Sequence, residues 1–206
     1  MGTYMKIDYE SVPMQAKSIR DNAEEINTKL LYVYNEIEAM HQYWYGKRYN
    51  QLVNNFNNLV PQLNKFLNAI VGDIPYIFEK IANSISTIDI QQSVTTEQKE
   101  SVQKLSEVPV IEDVGMRYNT KEVENISESI KKTLQEISEL MEKIKQTGDQ
   151  LSIECINSGE LKTRFRNMAN AFQQVINNIE TQFTELMQKD KELMEATEMA
   201  NNVNKA

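Results

Sequence analysis

The sequence predicts an all-α chain: two tandem long helical hairpins packed into an elongated antiparallel four-helix bundle. Three observations carry that prediction. Apolar residues recur at alternating steps of three and four over long spans, the period of a helix laid against a near-antiparallel neighbour. The 206 residues include only six glycines and four prolines, which leaves little room for the many turns of a sheet protein. The pattern also breaks at two glycine-containing corners, dividing the chain into halves of one plan.

In the first arm Val12, Ala16, Ile19, Ala23, Ile26, Leu30, Val33, Ile37, Met40 and Trp44 keep the alternation without a miss. A helix is expected from about Ser11 to about Tyr43, with Pro13 tolerated in a first turn that misses no donor. The corner is His41-Gln42-Tyr43-Trp44-Tyr45-Gly46-Lys47-Arg48-Tyr49, which holds the only tryptophan. A returning helix starts near Lys47, with Tyr49, Leu52, Phe56, Leu59, Leu63, Phe66 and Ile70 as its stripe. Pro61 removes one ladder bond and predicts a bend. Val71-Gly72-Asp73-Ile74-Pro75 is a second weak point, past which the helix is expected to continue to about Ser86 with Ile74, Ile77, Ile81 and Ile85 on its apolar face.

These arms define a hairpin of residues 1–88. Residues 89–119 lose the pattern and read as a partly ordered linker, with a short helix expected over Glu97–Leu105 behind a Thr96 cap. Regularity returns at Thr120, an expected N-cap followed by Glu122, Glu124 and Glu128 at the positive end of a helix. Val123, Ile126, Ile130, Leu134, Ile137, Leu140, Met141, Ile144 and Leu151 form the next stripe, which weakens around Thr147-Gly148-Asp149. A second corner is expected at Cys155–Glu160, centred on Asn157, Ser158 and Gly159. The last helix, from Leu161, aligns Phe165, Met168, Phe172, Ile176, Ile179, Phe183, Leu186 or Met187, and Leu193. Residues 120–206 thus read as a degenerate second hairpin. Laying Gly46 on Gly159 puts Asn157 opposite Trp44, so the second copy keeps the glycine and lacks the tryptophan.

The net charge of -8 divides into -1 over residues 1–86, -3 over 87–119 and -4 over 120–206. No segment concentrates Lys and Arg, so the chain lacks the basic footprint of a nucleic-acid binder, and an acidic surface disfavours docking on anionic membranes. Phe66–Ile85 is the most apolar stretch, but Asp73, Glu79 and Lys80 interrupt it, so a buried bundle arm explains it better than insertion into a membrane. No signal peptide or long apolar run is seen. The expectation is either a cytoplasmic protein or one that leaves by a signal-peptide-independent route accepting folded cargo.

Titratable constellations for chemistry are missing. His41 is the only histidine, so no His-based metal site or triad is assembled within the chain, and Glu38 one turn before it reads as a surface partner. Cys155, the single cysteine, cannot form an internal disulfide and reads as a half-buried small residue. No cofactor is implied, and the expectation is a protein that is not an enzyme.

The corner has two readings. Trp44 beside Gly46 is either an accessible recognition knob or a packing residue across the helix ends, with Gly46 permitting the chain reversal. Tyr43, Tyr45 and Tyr49 cluster there, which suits a binding surface and equally suits core fill at the end of the bundle.

With Trp44-Tyr45-Gly46 at the corner of two heptad-patterned arms, residues 5–88 resemble the WXG (Trp-X-Gly, hundred-residue) family of small helical-hairpin proteins. The resemblance implies export by a type VII secretion system of Gram-positive bacteria and pairing of hairpins into a four-helix bundle. In tandem form, one chain would hold both halves of the family's dimer, an intramolecular pseudo-dimer with scope for further oligomerisation. The family's export signal, Tyr-X-X-X-Asp/Glu, is matched in spacing by Tyr118 with Glu122, and also by Tyr32 with Glu36 and Tyr34 with Glu38. The implied partners are proteins: the secretion ATPase or co-secreted cargo. The alternatives are the targeting domain or partner of a type VII toxin and, in another class, a cytosolic structural coiled-coil scaffold.

Overall fold

The computed structural model describes residues 6–112, 115–154 and 158–203. Cys155, Ile156 and Asn157 of the expected second corner, and the side chain of Ser158, lie outside the described residues. The fold is all-α. Its helices are α1 (Ser11–Met40), α2 (Lys47–Leu67), α3 (Ile74–Asp89), α4 (Thr120–Asp149) and α5 (Ser158–Val203), and a π turn over Asn68–Asp73 joins α2 to α3. Four two-residue strands punctuate them: β1 (Lys6–Ile7), β2 (Trp44–Tyr45), β3 (Arg117–Tyr118) and β4 (Ile153–Glu154).

Helix α1 starts where Asp8 satisfies its first amides: Oδ1 accepts from Glu10 N at 3.1 Å and from Ser11 N at 2.9 Å. Free N–H groups at a helix start otherwise depend on water. The entire expected stripe from Val12 to Trp44 is fully buried. Its first neighbour is α4, which runs antiparallel to it: Lys29 Nζ reaches Glu136 at 2.7 Å, Tyr32 Oη meets Ser129 Oγ at 2.7 Å, and Gln15 Nε2 donates to the Gln150 carbonyl at 2.9 Å. Helix α4 begins one residue earlier than expected from its cap. Asn119, rather than Thr120, is the N-cap, its side chain accepting from Glu122 N.

The two halves are related by an internal pseudo-twofold arrangement. Both α1 and α4 span 30 residues, and each is followed after the same short turn by a corner strand, Trp44–Tyr45 in one half and Ile153–Glu154 in the other. Each corner strand pairs antiparallel with the strand that precedes the other half's long helix: β2 with β3 and β4 with β1. The counterpart of Trp44 is therefore Ile153, and the overlay of Gly46 on Gly159 is displaced. The reason is that α4 ends at Asp149, where its stripe weakens, while Gly159 already sits in the first turn of α5. Gly148, inside α4, lies against the ring of Phe165, and no side chain fits there.

Return arms pair across the halves. Helix α2 packs along α5 far more extensively than along α1, with Phe66 and Phe172 stacked at 3.9 Å between ring centroids. Helix α5 returns along α4, where Gln173 Nε2 donates to Ser138 Oγ at 2.7 Å. Helix α3 comes back to α1, and the buried Arg20 and Glu79 form an ion pair at 3.0 Å. All four arms thus feed one hydrophobic core.

Helix α2 runs through Pro61 without interruption, and the chain stays helical past Gly72 by way of the π turn. The π turn changes which face is covered. Phe78 and Ala82 are buried, whereas Ile77 is 45% exposed and Ile74, Ile81 and Ile85 are half-buried, so the expected isoleucine stripe is not the core face of α3. A π turn takes in an extra residue, which moves every later side chain off the phase that precedes it.

The linker also departs from expectation. No helix forms over Glu97–Leu105: residues 94–112 contain no helix or strand. The segment lies against α2 and α3, with Leu105 3% and Val108 1% exposed. The backbone amides of Val94, Thr95, Gln98, Leu105 and Val108 donate to side chains of the helices beneath, partners that stand in for a helical ladder.

Candidate functional site

The corner turns on a short run of local bonds. After Met40 the chain leaves α1 through His41 N to Glu38 O at 3.2 Å and Tyr43 N to Met40 O at 2.9 Å. Trp44 and Tyr45 then pair with Tyr118 and Arg117 respectively, and Asn119 N donates to Tyr43 O at 2.9 Å. Gly46 has φ of +120°, a conformation closed to side chains with a Cβ. Its backbone also passes close to the segment before β3, where an added Cβ would stand 3.2 Å from the Gly115 carbonyl.

Trp44 is fully buried. Its indole Nε1 donates to Asp190 Oδ2 at 2.7 Å, and Arg48 holds the other oxygen, Oδ1. Asp190 is 2% exposed and comes from α5, so the tryptophan of the first half is latched to a carboxylate of the second. A buried carboxylate is tolerable only when such donors satisfy it. Around the indole stand Tyr49, edge-on at 5.9 Å, and Tyr118, edge-on at 5.8 Å, an arrangement favoured by ring quadrupoles. Tyr49 Oη donates to the Ile37 carbonyl at 3.0 Å, tying the start of α2 to the end of α1.

Tyr118 Oη is buried with no hydrogen-bond partner among the described residues. Burial, joined by the negative charges of Glu124 and Asp190, pushes its phenol up to about 12. Glu122 lies half-buried in the first turn of α4. Tyr118 is thus built into the underside of the corner. Tyr32, by contrast, is 39% exposed.

These positions correct the picture of an accessible knob. Trp44 is a packing residue, and Tyr49, at 1% exposure, belongs to the core rather than to a tip surface. The reason is that the corner abuts α5, which runs on past it. Tyr43 and Tyr45 are partly exposed. Beside them opens a cleft of ≈ 460 Å³ lined by Lys47, Gln51, Met116, Leu186 and Lys189, with Asp190 and Arg48 at its floor. Asp190 gave no sign in the sequence, because it falls among the many charges of α5. The only cue was its place four residues after Leu186 on the stripe.

Among the described residues no group of His, Cys, Asp and Glu is placed to hold a metal ion, and no helix is long and apolar enough to cross a membrane. The corner offers shape, aromatic edges and a cationic rim. Comparison of the chain with family models, curated proteins and solved structures returns no match.

Proposed function

We propose that this chain is a non-enzymatic WXG-like protein of a bacterial type VII secretion system, either exported by the system or escorting another cargo to it, and acting through protein–protein recognition. The observation that carries the reading is that a Trp-X-Gly corner ends the first long arm of a hairpin whose partner is a second hairpin of like plan in the same chain. A hairpin with a wide apolar face cannot bury it alone. Fusing the two removes the need to find a partner subunit.

The surface presented to the secretion ATPase or to cargo is the rim around Trp44: Tyr43, Tyr45, Lys47 and Lys189. Tyr supplies contact area with little entropy loss. Tyr118 acts from below, as the support on which Trp44 rests. The protein travels folded, so localisation outside the cell needs no signal peptide.

The test compares culture medium with cell lysate for a Gram-positive host carrying a type VII system and for the same strain lacking its ATPase. Extracellular protein only in the intact strain supports export, and Tyr43→Ala with Tyr45→Ala should lower it at unchanged intracellular level. Retention in the cytosol of both strains would favour the structural scaffold instead.

A further inference from the structure

Helices α2 and α3 carry a row of positions that the hydrophobic core does not use. Asn50, Asn57 and Asn64 are spaced by seven residues. Across the π turn, which takes in one extra residue, the row continues through Gly72 within the turn and then Glu79 and Ser86 of α3. Each position meets the backbone of the linker. Asn64 Oδ1 accepts from Leu105 N at 2.8 Å while its Nδ2 donates to the Leu105 carbonyl at 2.9 Å. Asn57 clamps Val108 in the same way, at 2.8 and 2.9 Å. Asn50 Nδ2 donates to the Ile111 carbonyl at 3.2 Å. Farther along, Glu79 Oε2 accepts from Gln98 N at 2.9 Å and Arg20 Nη2 donates to the Gln98 carbonyl at 2.9 Å. At Gly72 an added Cβ would stand 2.6 Å from the Glu100 carbonyl, so only glycine lets the segment pass.

The spacing has a physical basis. Seven helical residues rise about 10.5 Å, and three extended residues span about 10 Å. A heptad row of asparagines therefore meets every third residue of an extended chain, as it does at Leu105, Val108 and Ile111. An amide side chain that grips both the N–H and the C=O of one residue reads backbone and is indifferent to side-chain identity. Sequence content enters through the inward side chains, Val102, Leu105 and Val108, because Ser106, Glu107, Pro109 and Val110 are exposed. The clamp at Asn50 is half filled: its Oδ1 is buried with no partner among the described residues. Such an acceptor is costly to leave open, and a ligand continuing in register would supply the missing N–H.

We propose that this face of α2 and α3 is a receptor groove for an extended polypeptide segment of a partner protein with apolar side chains three residues apart, and that residues 94–111 occupy it as a built-in competitor. The tether gives the resident segment an effective concentration of the order of mM, so a partner binds in trans only when the segment leaves. The groove does not depend on the secretion reading and would stand without it.

The probe is a fluorescein-labelled peptide with the sequence of residues 102–112, titrated by anisotropy into the full chain and into its Leu105→Ser/Val108→Ser variant, whose resident segment is loosened. The variant should bind at least about tenfold more tightly than wild type, and adding Asn57→Ala and Asn64→Ala should remove at least about tenfold of that affinity. Replacing the peptide's exposed residues should change little, whereas moving the residues corresponding to Leu105 and Val108 to alternate positions should abolish binding. No binding by a loosened variant of unchanged helical content, or binding indifferent to the two asparagines, overturns the proposal. Native-state hydrogen exchange on unaltered protein gives an arm that needs no variant. The Leu105 and Val108 amides should exchange well before those of α1 and α4, and exchange only with global unfolding would also overturn it.

Discussion

Trp44 shows how one side chain can join two halves of a chain without touching a ligand. Its indole N–H and the Arg48 guanidinium share Asp190, a carboxylate that burial would otherwise make untenable. Removing the indole donor with Trp44→Phe keeps most of the apolar volume and leaves Asp190 short of one charge-assisted bond. That should cost about 2–3 kcal/mol, read by urea unfolding. In an Asp190→Asn background the same change should cost less, because the group left behind is then neutral. A Trp44→Phe penalty below about 0.5 kcal/mol would mean the latch contributes little.

Tyr118 offers a second test at this scale. Its neutral phenol is favoured in the fold, where the proton is held to about 12, while the unfolded chain releases it near 10.0. The contribution is therefore fully present below pH 10 and is lost as pH rises through the window between the two values. Burial, with the negative charge of Glu38, raises Tyr34, and the hydrogen bond to Asp89 raises Tyr9, in the same sense, so the measurement is a difference. Tyr118→Phe should lose less stability than wild type between about pH 9 and about pH 11.5 in urea titrations. At neutral pH it should be at least as stable, since the hydroxyl it removes has no partner among the described residues. Equal alkaline slopes for the two proteins would contradict the burial argument.

Among the elements, the π turn decides the character of the returning arm. By absorbing one residue it keeps Asn64 and Glu79 on one line, at the expense of the isoleucine face that a plain helix would have buried. Deleting Ala69, a half-buried residue inside the turn, should convert the turn to α-helix with both flanking faces still in phase. The variant should retain its helical circular dichroism and unfold within about 1 kcal/mol of wild type. Inserting one alanine at the same point should instead rotate α3 by about 100°, turn Phe78 and Glu79 out of their sites and lower the urea midpoint markedly. If the deletion proved the more damaging of the two, the phase argument would fail.

At the scale of the whole molecule, the long arms pack both within their own half and across to the other. Helix α1 leans on α4 as well as on α3, and α2 leans on α5, so a chain ending at residue 90 uncovers the faces of α1 and α2 that meet the second half. That fragment should be weakly helical or self-associated when isolated. Mixing it with a fragment of residues 115–203 should restore the helical signal and a single sedimenting complex, whereas the intact chain should sediment as one copy. A first half that is monomeric and fully helical alone would show that the halves are independent units.

The alternation of apolar residues determined the four long arms and the fully buried face of α1, because a helix's contact stripe follows from its period alone. It also located the first corner, since Gly46 and its neighbours interrupt that period. What only the tertiary structure decided depends on which partner each face meets. The burial of Trp44, the choice of Asp190 to receive it, the displaced second corner and the loss of the isoleucine stripe all follow from contacts between residues far apart in the chain. The linker shows the difference most clearly: its polar, irregular sequence carries no period. Its order is imposed from outside, by asparagines whose seven-residue spacing acquires meaning only when an extended backbone lies across it.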